Sequence, residues 1–302
     1  MTWQGVHAQN YYSFHSPGLR RSENTPSFLV LACSHDRIEE LLNAPDANSG
    51  GAPKQQFELS IGCLPFRLQM ADVQLFRAVS SRYAAFREAA AQPIHITLND
   101  SSKPESRPAE FGYEFEGAAL RTSSRETRFD GVRNEYALDS LLRVLLSWKL
   151  AGRHGFLLHA ATVVRDGKAY VFTGRSGAGK STVASLSPPG TILTDEISLL
   201  RFEKGEWRAY GTPFWGEFRA AGSNTSAPVR GLFRLVQAPE NRVIPLCPVE
   251  MLRALLPNVL FFSAESEANR RLLDILGHAV DSIPGYELAF RKDAAFWGDL
   301  PE

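Results

Sequence analysis

The stretch TGRSGAGKST, residues 173–182, limits the fold more than any other part of the chain. Gly174, four further residues, then Gly179, Lys180 and Ser181 satisfy the pattern GxxxxGK(S/T). Glycines at those places let backbone N–H groups turn inward around phosphate oxygens, where a side chain would intrude. Such a loop needs a strand entering it and a helix leaving it. Upstream, AYVFTG is a short apolar run of β-formers; downstream, STVASL can open a helix, so an α/β arrangement is expected around the loop. The expected cradle comprises Gly174, Arg175, Ser176, Gly177, Ala178, Gly179, Lys180, Ser181 and Thr182. Lys180 would set its ammonium between the outer phosphates and Ser181 would offer a hydroxyl to magnesium. The following helix would add its positive N-terminal end.

Composition narrows the partners. Lys plus Arg (33) equals Asp plus Glu (33), so no global basic field attracts nucleic acid or an anionic membrane. Cys33, Cys63 and Cys247 show no CxxC spacing, which suits a reducing compartment better than a disulfide scaffold or zinc site. The beginning, MTWQGVHAQNYYSFHSPG, has no apolar core after a basic start, and no run approaches the roughly eighteen apolar residues of a membrane span. The expectation is a cytoplasmic protein with no nucleic-acid or membrane partner, free to form homo-oligomers.

Three parts are expected along the chain. Residues 1–54 form an extension with an apolar patch, SFLVLACS, a short helix at DRIEELLNA, and a Gly/Pro/Asn/Ser linker, APDANSGGAPKQ, at its end. Residues 55–133 read as a small α/β domain: one or two strands in FELSIGCLPFRLQM, an amphipathic helix over ADVQLFRAVSSRYAAFREAA, then strands at PIHITLN and YEFEGAALRTSS. Residues 134–302 contain the phosphate loop, entered through a leucine-spaced helix in NEYALDSLLRVLLSWKLAGRHG. Next, GFLLHAATVV and AYVFTG flank an Asp-Gly pair, a hairpin signal that puts His159 on the strand beside the one delivering the loop. The helix after the loop is held to about two turns by SPPG, and TILTDEISLLRF reads as the next strand. Strand-like VRGLFRLVQ, helix-like PVEMLRALLPNVLFF and ESEANRRLLDILGHAVD, a strand at YELAF and a short DAAFWGDL segment complete the chain.

Asp195 and Glu196 arrive only fifteen positions after Lys180. A short βαβ unit with the acid on its next strand would set Asp195 opposite the γ-phosphate, a more compact layout than most P-loop nucleotide hydrolases use.

LLHAATVV, GRSGAGKS and TDE, in that order, resemble the C-terminal catalytic domain of bacterial HPr kinase/phosphorylase over roughly residues 155–235. The whole chain looks closer to HPr-kinase-related proteins, including those beside peptide-modification systems. GTPFWGEF (211–218) and APVR (227–230) are similar to that subgroup's GTPxxGE and APxR elements. The resemblance implies a P-loop kinase domain of the HPr kinase / phosphoenolpyruvate carboxykinase type, preceded by a small α/β domain. It implies ATP and Mg2+ as cofactors, Asp195 as general base towards a serine hydroxyl, and Ser181 and Glu217 as magnesium ligands. Catalytic roles fall on Asp195, Lys180 and His159, with His159 orienting Asp195 or meeting a phosphate oxygen, or else serving as a hydrogen-bonded core residue. Arg230 is either a phosphate-neutralising cation or a surface ion-pair partner, and Phe214 and Trp215 either wall the site or pack the core.

Two departures separate this chain from the parent family: Glu196 replaces a second Asp, and FRAAGSNTSAPV lacks an RGLGI-like glycine-rich stretch. Both point to an acceptor other than HPr. An ATP-dependent kinase acting on Ser/Thr of a protein or peptide is favoured. A nucleotide-binding regulatory module without turnover and a kinase of small-molecule hydroxyls stay open.

Overall fold

The computed structural model describes residues 54–99, 111–115, 118–123, 126–188, 191–214, 222–263 and 265–301. The apolar patch and short helix expected within residues 1–53 lie outside them, as do Trp215 and Glu217. The described chain is a mixed α/β protein with two sheets.

The first sheet holds β1 (Gln55–Ile61), β2 (Leu64–Met70), β3 (Ile94–Asn99), β4 (Phe111–Phe115), β5 (Ala118–Thr122) and β6 (Thr127–Asp130), with α1 (Val73–Arg82) between β2 and β3. Its order is β1-β2-β3-β6-β5-β4. α2 (Glu135–Ala151) then leads to β7 (Gly155–Arg165), β8 (Lys168–Thr173), α3 (Lys180–Ser185), β9 (Ile192–Thr194), β10 (Ile197–Glu203) and β11 (Glu206–Tyr210). The remainder is β12 (Ser226–Gln237), β13 (Arg242–Leu246), α4 (Pro248–Leu255), β14 (Val259–Leu260), α5 (Ser266–Ser282) and β15 (Gly285–Phe290). The second sheet runs β11-β10-β7-β8-β12-β15-β13, and a further β11–β12 pairing closes a ring of five strands. β8, β12 and β15 are parallel, so the segment leaving β8 emerges beside the carboxyl end of β12, with that of β15 next along the sheet.

Local chemistry accounts for the elements. The expected hairpin between β7 and β8 turns on Asp166–Gly167, and FELSIGCLPFRLQM, read as one or two strands, is two strands that turn on Gly62–Cys63; all four residues have positive φ, as two-residue primed turns require. Asn134 caps α2 by accepting from the Tyr136 and Ala137 N–H groups, and the leucines at helical spacing are buried. α3 has six residues, and Ser185 and Ser187 hydroxyls bond back to the Thr182 and Val183 carbonyls where Pro188 ends it.

Four segments differ from the sequence expectation. The helix expected over residues 71–90 ends at Arg82, giving way to a 3-10 turn at Ala84–Phe86 and a bridge from Arg87 to Leu59. The helix expected over residues 248–262 ends at Leu255, because Pro257 has no N–H to continue it; Val259 and Leu260 then pair with Leu158 and Leu157. YEFEGAALRTSS holds two antiparallel strands rather than one. The strand expected over TILTDEISLLRF breaks at Asp195–Glu196 into β9 and β10, which pair with opposite halves of β7.

The first hydrophobic cluster contains Phe57, Leu68, Ile96 and Phe129 of the first sheet, Leu141 and Leu145 of α2, and Leu157, Leu199 and Phe214 beyond. At its polar margin, Arg82 and Tyr83 at the end of α1 both donate to the Asp139 carboxylate of α2, all three residues being buried.

Candidate functional site

Strand register assembles the site. Thr173, the last residue of β8, pairs with Ala160 of β7, so the loop at 174–179 begins next to His159. On the other edge of β7, His159 pairs with Ile197, the first residue of β10, and the acid pair directly precedes it. The loop after β8 and the acid pair before β10 therefore flank the middle of β7, where His159 sits. Two backbone links tighten this: Thr173 donates its hydroxyl to the His159 carbonyl (3.1 Å), and the Ala160 N–H donates to the Glu196 carbonyl (3.0 Å).

The loop is shaped by glycine. Gly177 and Gly179 sit at φ 78° and 114°, a region costly for other residues, and a Cβ on Gly177 would meet nothing within 4 Å. Its open side faces space that a ligand could fill. The inner side is gripped: Gln237 of β12 donates to the Gly177 carbonyl, and Phe290 of β15 lies 3.1 Å from where a Gly179 Cβ would stand. Lys180, 7 % exposed, turns its ammonium onto the carbonyls of Gly174 (2.9 Å) and Arg175 (3.3 Å). Burial pulls its pKa down, against the opposing pull of Glu196. A buried ammonium held by its own loop can exchange those carbonyls for phosphate oxygens, so the residues present fit a phosphate group. Ser181 and Thr182 are half-buried at the start of α3.

Asp195 is 1 % exposed. The segment that starts GTPF covers its neighbourhood: Thr212 donates to the Ile197 carbonyl (2.6 Å) and its hydroxyl lies 3.4 Å from that of Thr194. This close approach depends on Gly211, where a Cβ would stand 1.9 Å from the Ser223 carbonyl oxygen and 2.9 Å from that of Leu193.

His159 Nδ1 lies 3.9 Å from Glu196 Oε1. That separation is too long for the carboxylate to hold a proton on the ring against the environment. Burial first, then the positive charges of Lys180 and Arg143, push the imidazole pKa down to about 3. His159 is thus neutral at neutral pH and carries one donor and one acceptor nitrogen.

Two residues of the sequence reading stand apart. Phe214 is 1 % exposed and belongs to the first hydrophobic cluster. Arg230 occupies a bulge on β12 opposite the Ala169–Tyr170 step, near the beginning of β8, whereas the loop leaves its end. At about 3.3 Å per strand residue, its backbone is over 10 Å from the loop. Sequence reasoning missed Arg143, whose guanidinium carbon lies 5.0 Å from the Phe214 ring centre and whose charge reaches His159. The available signal was Asp139-x-x-x-Arg143, one helical turn of opposite charges within an otherwise apolar helix.

Among the described residues no helix is long and apolar enough to cross a membrane. Two clefts, of about 370 Å³ around Trp207 and His278 and about 390 Å³ around Cys63 and Tyr210, include no residue of the 174–182 loop.

The second sheet, with its glycine loop and acid pair, lies in the region matched by one family model. Residues 137–301 match the SynChlorMet cassette protein ScmC, and the chain belongs to that family. No curated protein matches it. Among solved structures, the chain is similar to the Hpr(Ser) kinase/phosphatase from Coxiella burnetii, at 15 % identity over 41 % of this chain and 88 % of that one, with a TM-score of 0.24.

Proposed function

We propose that this chain is an ATP- and magnesium-dependent kinase that transfers the γ-phosphate to a hydroxyl, the acceptor being a Ser or Thr of a protein or peptide. The observation that carries this reading is the convergence of the 174–182 loop, His159 and Asp195 where the end of β8 and the start of β10 flank the middle of β7. Residues 134–302 would be the P-loop catalytic domain, of the HPr kinase / phosphoenolpyruvate carboxykinase type, and 55–133 a companion domain.

In this reading the loop backbone holds the inner phosphates and Lys180 reaches the outer ones. Asp195 takes the proton of the acceptor hydroxyl while that oxygen bonds to the γ-phosphorus and the bond to the bridging oxygen of ADP breaks. His159, neutral, donates one hydrogen bond without adding charge. Ser181 and Glu217 would hold magnesium, which supplies charge neutralisation on the phosphate oxygens. The matching family is named for a cassette, so the cassette's other products are the acceptors to try first.

The test has two arms. ATP with magnesium at a hundredfold excess over Kd should stabilise the protein by about 2.7 kcal/mol, roughly 5 °C in melting temperature for a chain of this size, and Lys180→Ala should remove most of that shift. Asp195→Asn should keep the shift yet lose transfer from γ-labelled ATP to the acceptor. An unchanged wild-type melting curve at millimolar ATP would sink the reading. A full shift with no transfer to any cassette product would instead favour a nucleotide-binding module without turnover.

A further inference from the structure

Phosphoryl transfer concentrates negative charge, and a lone lysine is a small counterweight. The basic residue that sequence offered as a second cation, Arg230, sits at the wrong end of β8. Arg143 is better placed. It projects from the middle of α2, a helix that packs against β7, the strand carrying His159. Its guanidinium lies over the ring of Phe214, the last described residue before the segment containing Glu217. Among the described residues its ion-pair acid is Asp139, and that carboxylate already accepts from Arg82 and Tyr83; the Arg143 Nη2 stands 3.9 Å away, outside hydrogen-bond reach. Arg143 Nε meets no acceptor among the described residues.

A mostly buried guanidinium, 14 % exposed, stacked on an aromatic ring and beyond bonding distance of its neighbouring carboxylate, retains donors for an anion. The Phe214 ring lies against the guanidinium, and Asp139 stands one helical turn away. Thr212, two residues before Phe214, donates to the Ile197 carbonyl, and Ile197 pairs with His159, so the segment under the guanidinium is tied to the β7–β10 step beside the acid pair.

We propose that Arg143 is a second phosphate-binding cation, donating to an anionic oxygen of the γ-phosphate alongside Lys180. This rests on the kinase reading above. The γ-phosphate is assigned rather than the β-phosphate because Arg143 is grouped with His159, next to the acid pair, whereas the loop itself cradles the inner phosphates. An acidic group on the acceptor would offer the same oxygen chemistry, and comparing ATP with ADP in the absence of acceptor separates the two sources.

The experiment measures ATP–magnesium and ADP–magnesium affinities by titration calorimetry for the wild type, Arg143→Gln and Arg143→Lys. The expected result is a loss of about 10- to 100-fold in ATP affinity for Arg143→Gln, with ADP affinity changed less than about threefold. Arg143→Lys should fall between, since it keeps the charge but not the planar fork. Arg143→Lys is decisive if Arg143→Gln does not fold: reduced ATP affinity with intact ADP affinity supports the proposal, and unchanged ATP affinity overturns it. Equal losses for both nucleotides, or none, overturn the assignment of Arg143 while leaving the kinase reading standing. A wild type that binds neither nucleotide overturns both.

Discussion

His159 shows how a single side chain's surroundings set its chemistry. Its folded pKa, about 3, lies below the ordinary value of 6.5. Between those values the unfolded chain takes up a proton that the folded chain refuses, so His159 makes the protein less stable as pH falls from about 6.5 towards 3 and has no such effect above it. The expected outcome is that the wild type loses more melting temperature between pH 7 and pH 4.5 than His159→Gln does. Parallel melting curves for the two across that range would show that the imidazole is not held neutral by the fold. Residue identity alone could not show this: the sequence places a histidine beside the loop, but burial, with the charges of Lys180 and Arg143, determines its charge.

Among the elements, the turn entering the GTPF segment is held by backbone contacts rather than by side-chain anchors alone. Gly211 leaves no room for a methyl group against two carbonyl oxygens, whereas Gly177 in the 174–179 loop has open space and only its positive φ to maintain. The two glycines should therefore respond differently to alanine. Gly177→Ala should cost about 1–2 kcal/mol from the left-handed backbone. Gly211→Ala should cost more, upwards of about 2 kcal/mol, because backbone must move and Asp195's strand moves with it. Chemical denaturation of both variants checks the order, and a smaller loss at Gly211 would show that the turn relaxes freely. The sequence made the loop glycines legible through their spacing. Gly211 was legible only as part of a resemblance, since its crowding comes from Leu193 and Ser223, which are distant in the chain.

For the whole molecule, the consequential feature is a core that does not stop between the first sheet and α2. Phe57, Leu68 and Phe129 share a cluster with Leu141, Leu145 and Leu199, and the Arg82–Asp139 ion pair with its Tyr83 hydroxyl lies buried across the same join. Removing one partner of a buried pair leaves an uncompensated charge. Asp139→Ala should therefore destabilise the protein by about 3–5 kcal/mol, while Arg82→Met combined with Asp139→Leu should recover most of that loss. Because the cluster is shared, both sheets should lose structure together in urea, monitored by far-ultraviolet circular dichroism and by tryptophan fluorescence, to which Trp148 of α2 contributes. Separate transitions, or a double variant no more stable than the single one, would show that the join is loosely coupled.

What the sequence determined by itself was local and periodic: the hairpin turns, the capped leucine-rich helix, the glycine loop between strand and helix, and the two-turn limit on α3. Each depends on residues a few positions apart, whose backbone preferences act without the rest of the chain. What tertiary structure decided was everything set by approach from a distance. It broke the expected strand at Asp195–Glu196, because the two halves of β7 recruit different partners. It carried Arg230 away from the loop and set Arg143 over Phe214, because strand register and helix packing, rather than proximity along the chain, fix which groups meet.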